Sequence, residues 1–371
     1  MTADESELRE LRASVREFME AKSPEDAVRK LMESEPRFDP AVWSQAADQL
    51  RLPGLAIPEE FGGDGFGLVE LGVVLEEMGR ALFCAPFFAT VLLAAQALLA
   101  SGDKEACARL LPGIASGRTT ATLAVAEDYG SWDPAMVSAR AVPDGDGGWT
   151  VRGRKCFVVD GTTADLILVV ARTVAGPTLF AVEREAVGLT AEPMETLDAT
   201  RAMARLTLDA VPAMLVGAQG AGGRIMAKVL DIASVGLAAE QAGGARRCLE
   251  TSADYARVRH QFGRPIGSFQ AVKHKCADML VQVELAEAAS REAARLADED
   301  SPDFPVAAAV AHAGCSRAYM VTAMENIQVH GGIGFTWEHL AHLYFRRAKS
   351  SQLLFGGPAV YYERLLDRLG I

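Results

Sequence analysis

Residues 257–279, RVRHQFGRPIGSFQAVKHKCADM, decide the fold of this chain when read with residues 328–348, QVHGGIGFTWEHLAHLYFRRA. Each stretch has an ordinary local reading. Ser268 is placed to cap a helix running to about Ala297, with Phe269, Val272, Cys276, Met279, Leu280 and Val283 as its apolar stripe. Pro305, at a first-turn position, opens an Ala-rich helix to about Gln328. Gly331, Gly332 and Gly334 then read as a helix C-terminal turn. Arg257, Arg259, Arg264, Lys273 and Lys275 could be no more than a solvated basic face.

Upstream, residues 119–217 change character. Short β-type runs such as TATLAVAE, WTVRGRKCFVV, ADLILVVARTV and ARLTLDAV alternate with Gly/Asp/Pro clusters, among them PDGDGG at 143–148. That rhythm predicts a small antiparallel barrel or sandwich. The first third reads helical. Leu8, Leu11, Val15 and Phe18 share one face, another helix spans about 68–82, and the apolar run 85–100 is too short for a membrane span and reads as a buried helix. The expected class is α+β: an N-terminal helical domain (1–118), a middle antiparallel β-barrel or sandwich domain (119–217) and a C-terminal four-helix bundle (218–371).

The 371 residues carry 37 Lys+Arg against 49 Asp+Glu, a formal charge of −12, and half are hydrophobic. Such a chain buries a sizeable core. Its acid surplus argues against nucleic-acid and anionic-membrane partners, which need a basic footprint. The polar, acidic start MTADESELRE lacks the features of a signal peptide, so the cytoplasm is the expected location. Cys84, Cys107, Cys156, Cys248, Cys276 and Cys315 are scattered without a CxxC pair, and no metal site is expected.

Together with residues 57–67, IPEEFGGDGFG, and in this order around a β segment, these stretches resemble the acyl-CoA dehydrogenase family over nearly the whole chain. The resemblance implies FAD held between subunits and oxidation of the Cα–Cβ bond of an acyl-CoA substrate. A carboxylate takes the α proton and the flavin takes the β hydride. It implies that Arg259 meets the FAD pyrophosphate, Phe262 packs on the adenine side, and Gln270 and Gln328 bond polar edges. Gly331 and Gly332 let the backbone approach closely, since no Cβ intervenes.

Two departures stand out. The family's T-E-P-x-A-G-S-D loop is AEDYGSWD here (126–133), so Ala126 and Trp132 replace a threonine and a serine. Val159 stands where the family has a further threonine beside the flavin. Each unpaired polar edge costs about 1–3 kcal/mol. The catalytic carboxylate is missing as well. The family's usual base position, 27 residues after Gln328, is Phe355; the alternative, 29 residues before Phe262, is Ala233. The catalytic residue is therefore unknown. Glu240 lies about 10 Å along the helix from Ala233, and Asp231, Glu338 and His330 are weaker substitutes.

The favoured expectation is a subunit resembling the base-lacking chain of actinobacterial α2β2 acyl-CoA dehydrogenases. It would complete the FAD site of a related catalytic chain, for bulky steroid-derived CoA thioesters, with an electron-transfer flavoprotein as electron acceptor. The alternatives are a self-sufficient flavoenzyme with a non-standard base or monooxygenase chemistry, and a non-redox scaffold or CoA-ester binding protein.

Overall fold

In the computed structural model, residues 4–145 and 147–371 are described. The chain forms two compact units. The first comprises Lys30–Gly67 and Cys84–Ala233; the second comprises residues 4–29, Leu68–Phe83 and Ser234–Ile371. Two helices, α2 (Glu25–Met32) and α7 (Gly222–Val258), run from one unit into the other.

In the first unit, α3 (Pro40–Leu50) begins where the Asp39 carboxylate accepts the Ala41 N–H and Pro40 fixes the first turn. The apolar segment is helical over residues 88–101 and buried there at every residue but Leu99, as its composition predicts. It starts as a π-helix, Phe88–Ala95, before tightening into α5 (Gln96–Ser101). Within it the Thr90 hydroxyl donates to the Ala121 carbonyl and accepts from the Ala121 N–H, pinning the helix to the first strand. α6 (Lys104–Ala115) follows, capped by Asp103.

Seven strands come next: β1 (Ala121–Ala124), β2 (Arg140–Pro143), β3 (Trp149–Val159), β4 (Leu166–Thr173), β5 (Gly176–Glu183), β6 (Leu189–Pro193) and β7 (Met203–Val216). Pairings β4–β2–β3–β7–β5–β4 close a ring of five strands, with β1 added beside β4 and β6 beside β7. The ring is a barrel, not a sandwich, and it is mixed rather than purely antiparallel. β1 and β2 both run parallel to β4 because the chain returns to β4 only after long connections. β6 escapes sequence reading. Its LTAEP lacks β-branched density and carries a proline, tolerable only on an edge strand.

The second unit is helical. α1 (Glu5–Lys22) starts with a reciprocal capping box between Asp4 and Glu7. It packs on α4 (Leu68–Arg80) through Val15, Phe18 and Met19. Glu76 and Glu77 of α4 are buried, and Arg12 and Arg16 of α1 pair with them. α4 crosses α7 at glycines. A Cβ on Gly79 would stand 2.0 Å from the Glu240 carbonyl, and one on Gly243 1.8 Å from that of Glu76, so only glycine permits this approach. A two-residue hairpin, β8 (His260–Gln261) and β9 (Arg264–Pro265), leads to α8 (Gln270–Asp298), α9 (Phe304–His330), α10 (Ala341–Leu353) and α11 (Gly357–Leu369). α9 packs against α8, α10 and α11.

Two local expectations need correction. Ser268 does not cap α8: its hydroxyl donates to the Pro265 carbonyl in a preceding 3₁₀ turn, and Phe269 occupies the N-cap position with no side-chain cap. Leu280 leaves the buried stripe and joins Val281 and Leu285 on an exposed apolar face of α8. No described helix is long and apolar enough to cross a membrane. All six cysteines are free.

His312 of α9 is fully buried. It stacks on Tyr361 of α11 with ring centroids 3.6 Å apart, and neither ring nitrogen has a partner among the described residues. Burial, helped by the Arg364 charge, pulls its pKa from 6.5 to about 3. The unfolded chain therefore binds a proton that the native state refuses. Stability from this group is full above pH 6.5 and falls as the pH drops from there towards 3. At about pH 5 the loss is about 2 kcal/mol. His312→Phe, which keeps a ring against Tyr361, should remove that acid-side slope; urea midpoints at neutral pH and at about pH 5 measure it.

Candidate cofactor half-site and the base positions

The site is built where α7 ends. Tyr255, in its last turn, stacks on His330 at the end of α9 with centroids 4.3 Å apart. One turn on, the Arg259 N–H donates to the Tyr255 carbonyl, and the Arg259 carbonyl accepts the Ile266 N–H across the hairpin. That fixes the backbone of Arg259. Its exposed guanidinium has no carboxylate partner among the described residues.

The hairpin turn is Phe262-Gly263, with φ of 53° and 77°. Two successive positive φ values are the signature of the tight turn that matches strand twist. Glycine accepts this freely; Phe262 does so at a cost in strain. The result is a phenyl ring 90% exposed at the hairpin tip, edge-to-face with the Phe269 ring at 6.0 Å between centroids. Arg264 lies over the Phe269 face, 4.1 Å from its centroid.

Gln270 is the first residue of α8, and its amide meets the His274 ring at 2.9 Å. This helix start lacks a side-chain cap, so its outward N–H groups and positive dipole end remain available to an anion.

The other wall is the end of α9. Gln328 is exposed. Gly331 has φ 65° and ψ −142°, a conformation essentially reserved for glycine. A Cβ on Gly331 or Gly332 would meet nothing within 4 Å. Their backbone thus faces open space from which a ligand can approach closely. His330 anchors the turn from beneath: it is buried, its Nδ1 is 2.8 Å from the Asn326 carbonyl, and it lies between Tyr255 and His339. It is a turn anchor, not a free base. Tyr255 and His274 were not singled out from sequence; Tyr255, one helical turn before Arg259, was the available clue.

Arg259, Phe262, Gln270, Gln328, Gly331 and Gly332 are all exposed on this chain. They offer a cation, an aromatic face, two amides and open backbone, the donor set for an adenine nucleotide diphosphate.

In the β ring, the positions that differ from the family are closed and apolar. Ala126, Trp132 and Val159 are buried. The Ala126 carbonyl accepts the Cys156 N–H, and the Val159 carbonyl accepts the Thr122 hydroxyl at 2.6 Å. Glu127 holds the loop that follows. It accepts the N–H groups of Ser138 and Ala139, the Ser138 hydroxyl and the Lys155 ammonium. Burial alone would raise its pKa; those bonds outweigh burial and hold it near about 2. Burial pulls the Lys155 ammonium down to about 8 against the pull of Glu127.

The two base positions hold no titratable group. Phe355 is buried in the kink between α10 and α11 at φ 65°, ψ 13°. Ala233 is buried within α7, and next to it the Ser234 hydroxyl meets the Tyr361 hydroxyl at 2.9 Å. Glu240 is committed elsewhere: it forms a buried ion pair with Arg347 at 3.0 Å, both side chains no more than 6% exposed. Glu338 is exposed, its carboxyl pKa lowered by the Thr336 hydroxyl.

Comparison with known proteins gives the class. The N-terminal, middle and C-terminal domain models of acyl-CoA dehydrogenases match residues 5–118, 122–211 and 220–370. The acyl-CoA dehydrogenase IpdE2 of Mycobacterium tuberculosis is 35% identical over 355 residues, covering 96% of this chain and 95% of its own. The solved steroid acyl-CoA dehydrogenase Tcur3481–Tcur3483 contains a chain 36% identical with TM-score 0.89, covering 98% of each. The ChsE4–ChsE5 complex of Mycobacterium tuberculosis contains one 29% identical with TM-score 0.89, covering 99% of this chain and 98% of that one.

This chain belongs to the acyl-CoA dehydrogenase family. It is an oxidoreductase of acyl-CoA thioesters whose cofactor is FAD. The open backbone at Gly331 and Gly332, the unpaired Arg259 and the uncapped start of α8 fit the ADP half of that cofactor.

Proposed function

We propose that this chain is the base-lacking subunit of a heteromeric α2β2 acyl-CoA dehydrogenase. In this reading it completes, with a related catalytic chain, a FAD site that neither builds alone. The exposure of all six half-site residues on a chain whose base positions are filled by Phe355 and Ala233 carries the reading.

The roles follow from chemistry. Arg259 pairs with the pyrophosphate, the backbone at Gly331 and Gly332 approaches it, Phe262 covers the adenine, and Gln270 and Gln328 bond polar edges. FAD, when bound, supplies the acceptor for the hydride leaving Cβ. Nothing at position 355 or 233 can take the Cα proton, and Glu240 is neutralised by Arg347. A carboxylate of the partner chain takes it.

Similarity to Tcur3481–Tcur3483 and to the ChsE4–ChsE5 complex supports the two-chain assembly, and the first supports a bulky, steroid-derived CoA thioester as substrate. The same reading gives domain divisions near 118/119 and 217/218, a four-helix bundle in the C-terminal domain, a cytoplasmic location and an electron-transfer flavoprotein as acceptor. A self-sufficient enzyme is opposed by the commitment of Glu240, and a pure scaffold by the unpaired Arg259 set.

Assay of the purified chain alone, with straight-chain and steroid-side-chain CoA thioesters and an artificial electron acceptor, should show no turnover. Turnover by the single chain would sink the proposal.

A further inference from the structure

Residues 331–338 leave the end of α9 and return to it. His330 is the last residue of that helix, and His339 comes back against it with ring centroids 4.2 Å apart. The loop closed by the two rings contains Gly331 and Gly332, whose backbone faces open space. His330 also stacks on Tyr255. The ladder Tyr255–His330–His339 therefore ties the wall that carries Arg259 to the wall that carries the two glycines.

Hydrogen bonds fix where the protons sit. The His330 Nδ1 donates to the Asn326 carbonyl at 2.8 Å, since a carbonyl can only accept. The His339 Nδ1 accepts the Ala341 N–H at 3.1 Å, so it carries a lone pair and the ring is neutral. Ala341 opens α10, and the N-cap residue Leu340 offers no side-chain bond; the His339 ring supplies one instead. A proton on that nitrogen would cancel the bond. It would also place a positive charge at the positive end of the α10 dipole and against the His330 ring.

The surroundings agree. Burial holds both rings below the ordinary histidine value of 6.5. Glu25 and Arg29 of α2, paired with each other at 2.8 Å, act on His339 in opposite directions, the carboxylate favouring a charge on the ring and the guanidinium opposing it. His342 of α10 is a second ring that a charge on His339 would repel.

We infer that His339 is a positioning residue of the cofactor half-site, its neutral ring holding the Gly331–Gly332 turn in place through His330. The inference rests on the half-site reading above. Above pH 6.5 the ring is neutral and the turn is closed. As the pH falls through the depressed pKa, the bond to Ala341 is lost and the turn opens.

Dilution of the FAD-loaded complex with the partner chain, read by the rise of free-flavin fluorescence, gives the FAD dissociation constant at pH about 7.5 and about 5.5, either side of the histidine range. The wild type should bind FAD about fivefold more weakly at the lower pH, the worth of one helix-cap bond. His339→Leu, which removes the acceptor, should be weaker by about fivefold at both. His339→Asn keeps an acceptor for the Ala341 N–H and cannot titrate. It should match the wild type at the higher pH and keep that affinity at the lower. All these proteins retain His312, so its acid-side effect is common to them. Arg259→Ala tests the half-site separately: unchanged FAD affinity there would sink the half-site and this inference with it. If Arg259→Ala weakens FAD binding, this inference alone is overturned by wild-type affinity in His339→Leu, by an acid loss that persists in His339→Asn, or by tighter wild-type binding at the lower pH.

Discussion

Arg347→Leu is expected to lower the unfolding free energy by about 3–5 kcal/mol, the usual cost of removing one partner from a buried ion pair. Arg347 of α10 and Glu240 of α7 are 4% and 6% exposed and 3.0 Å apart. Without the guanidinium, the Glu240 carboxylate stays in a site with little access to water. It must then be protonated or draw water in, and both cost stability. Removing the carboxylate as well should restore most of the loss, because two apolar side chains of similar volume are close to neutral there. The double variant Glu240→Leu/Arg347→Leu should therefore be more stable than Arg347→Leu alone. Urea unfolding of the three proteins measures this. A single-variant loss below about 1 kcal/mol would mean the pair is solvated. Such a result would return Glu240 to consideration as a base.

Arg259→Ala should behave in the opposite way. Its guanidinium is exposed and unpaired on the chain, so the melting temperature of the isolated chain should stay within the small range expected of surface changes. In complex with the catalytic partner the same change should weaken FAD binding by about 10–100-fold. That is the worth of charge-assisted bonds of about 1.5–3 kcal/mol to a pyrophosphate. Arg259→Lys should recover part of the loss, since an ammonium keeps the charge but not the two-pronged geometry. Flavin retained after gel filtration, read by absorbance, separates the cases. Undiminished occupancy in Arg259→Ala would remove the half-site from the account.

The legible parts of this chain were those written locally. The Pro305 helix start, the glycine turn after α9 and the rhythm of short strands each follow from residues near one another in sequence. The half-site was legible because its motif residues lie on two contiguous stretches that fold into a hairpin and a turn. Other features depend on distant partners. The Arg347–Glu240 pair joins residues 107 apart, and nothing near Glu240 announces it. The barrel's parallel pairings depend on which strands meet, which alternation alone does not encode. Ser268 suits an N-cap by type, yet the Pro265 carbonyl takes its hydroxyl and leaves the start of α8 open. That misplacement bears on function, since an uncapped helix start is what an anion can use. The positive φ of Phe262 was likewise hidden, because phenylalanine seldom adopts it.

The central claim is that this chain contributes half of a cofactor site and none of the proton-abstracting chemistry. The most direct measurement is flavin stoichiometry of the complex purified after co-expression with its related partner chain. The account predicts about one FAD for every two chains, lost in parallel with activity when Arg259 of this chain is replaced. One FAD bound per chain in a homo-oligomer of this protein alone would contradict it.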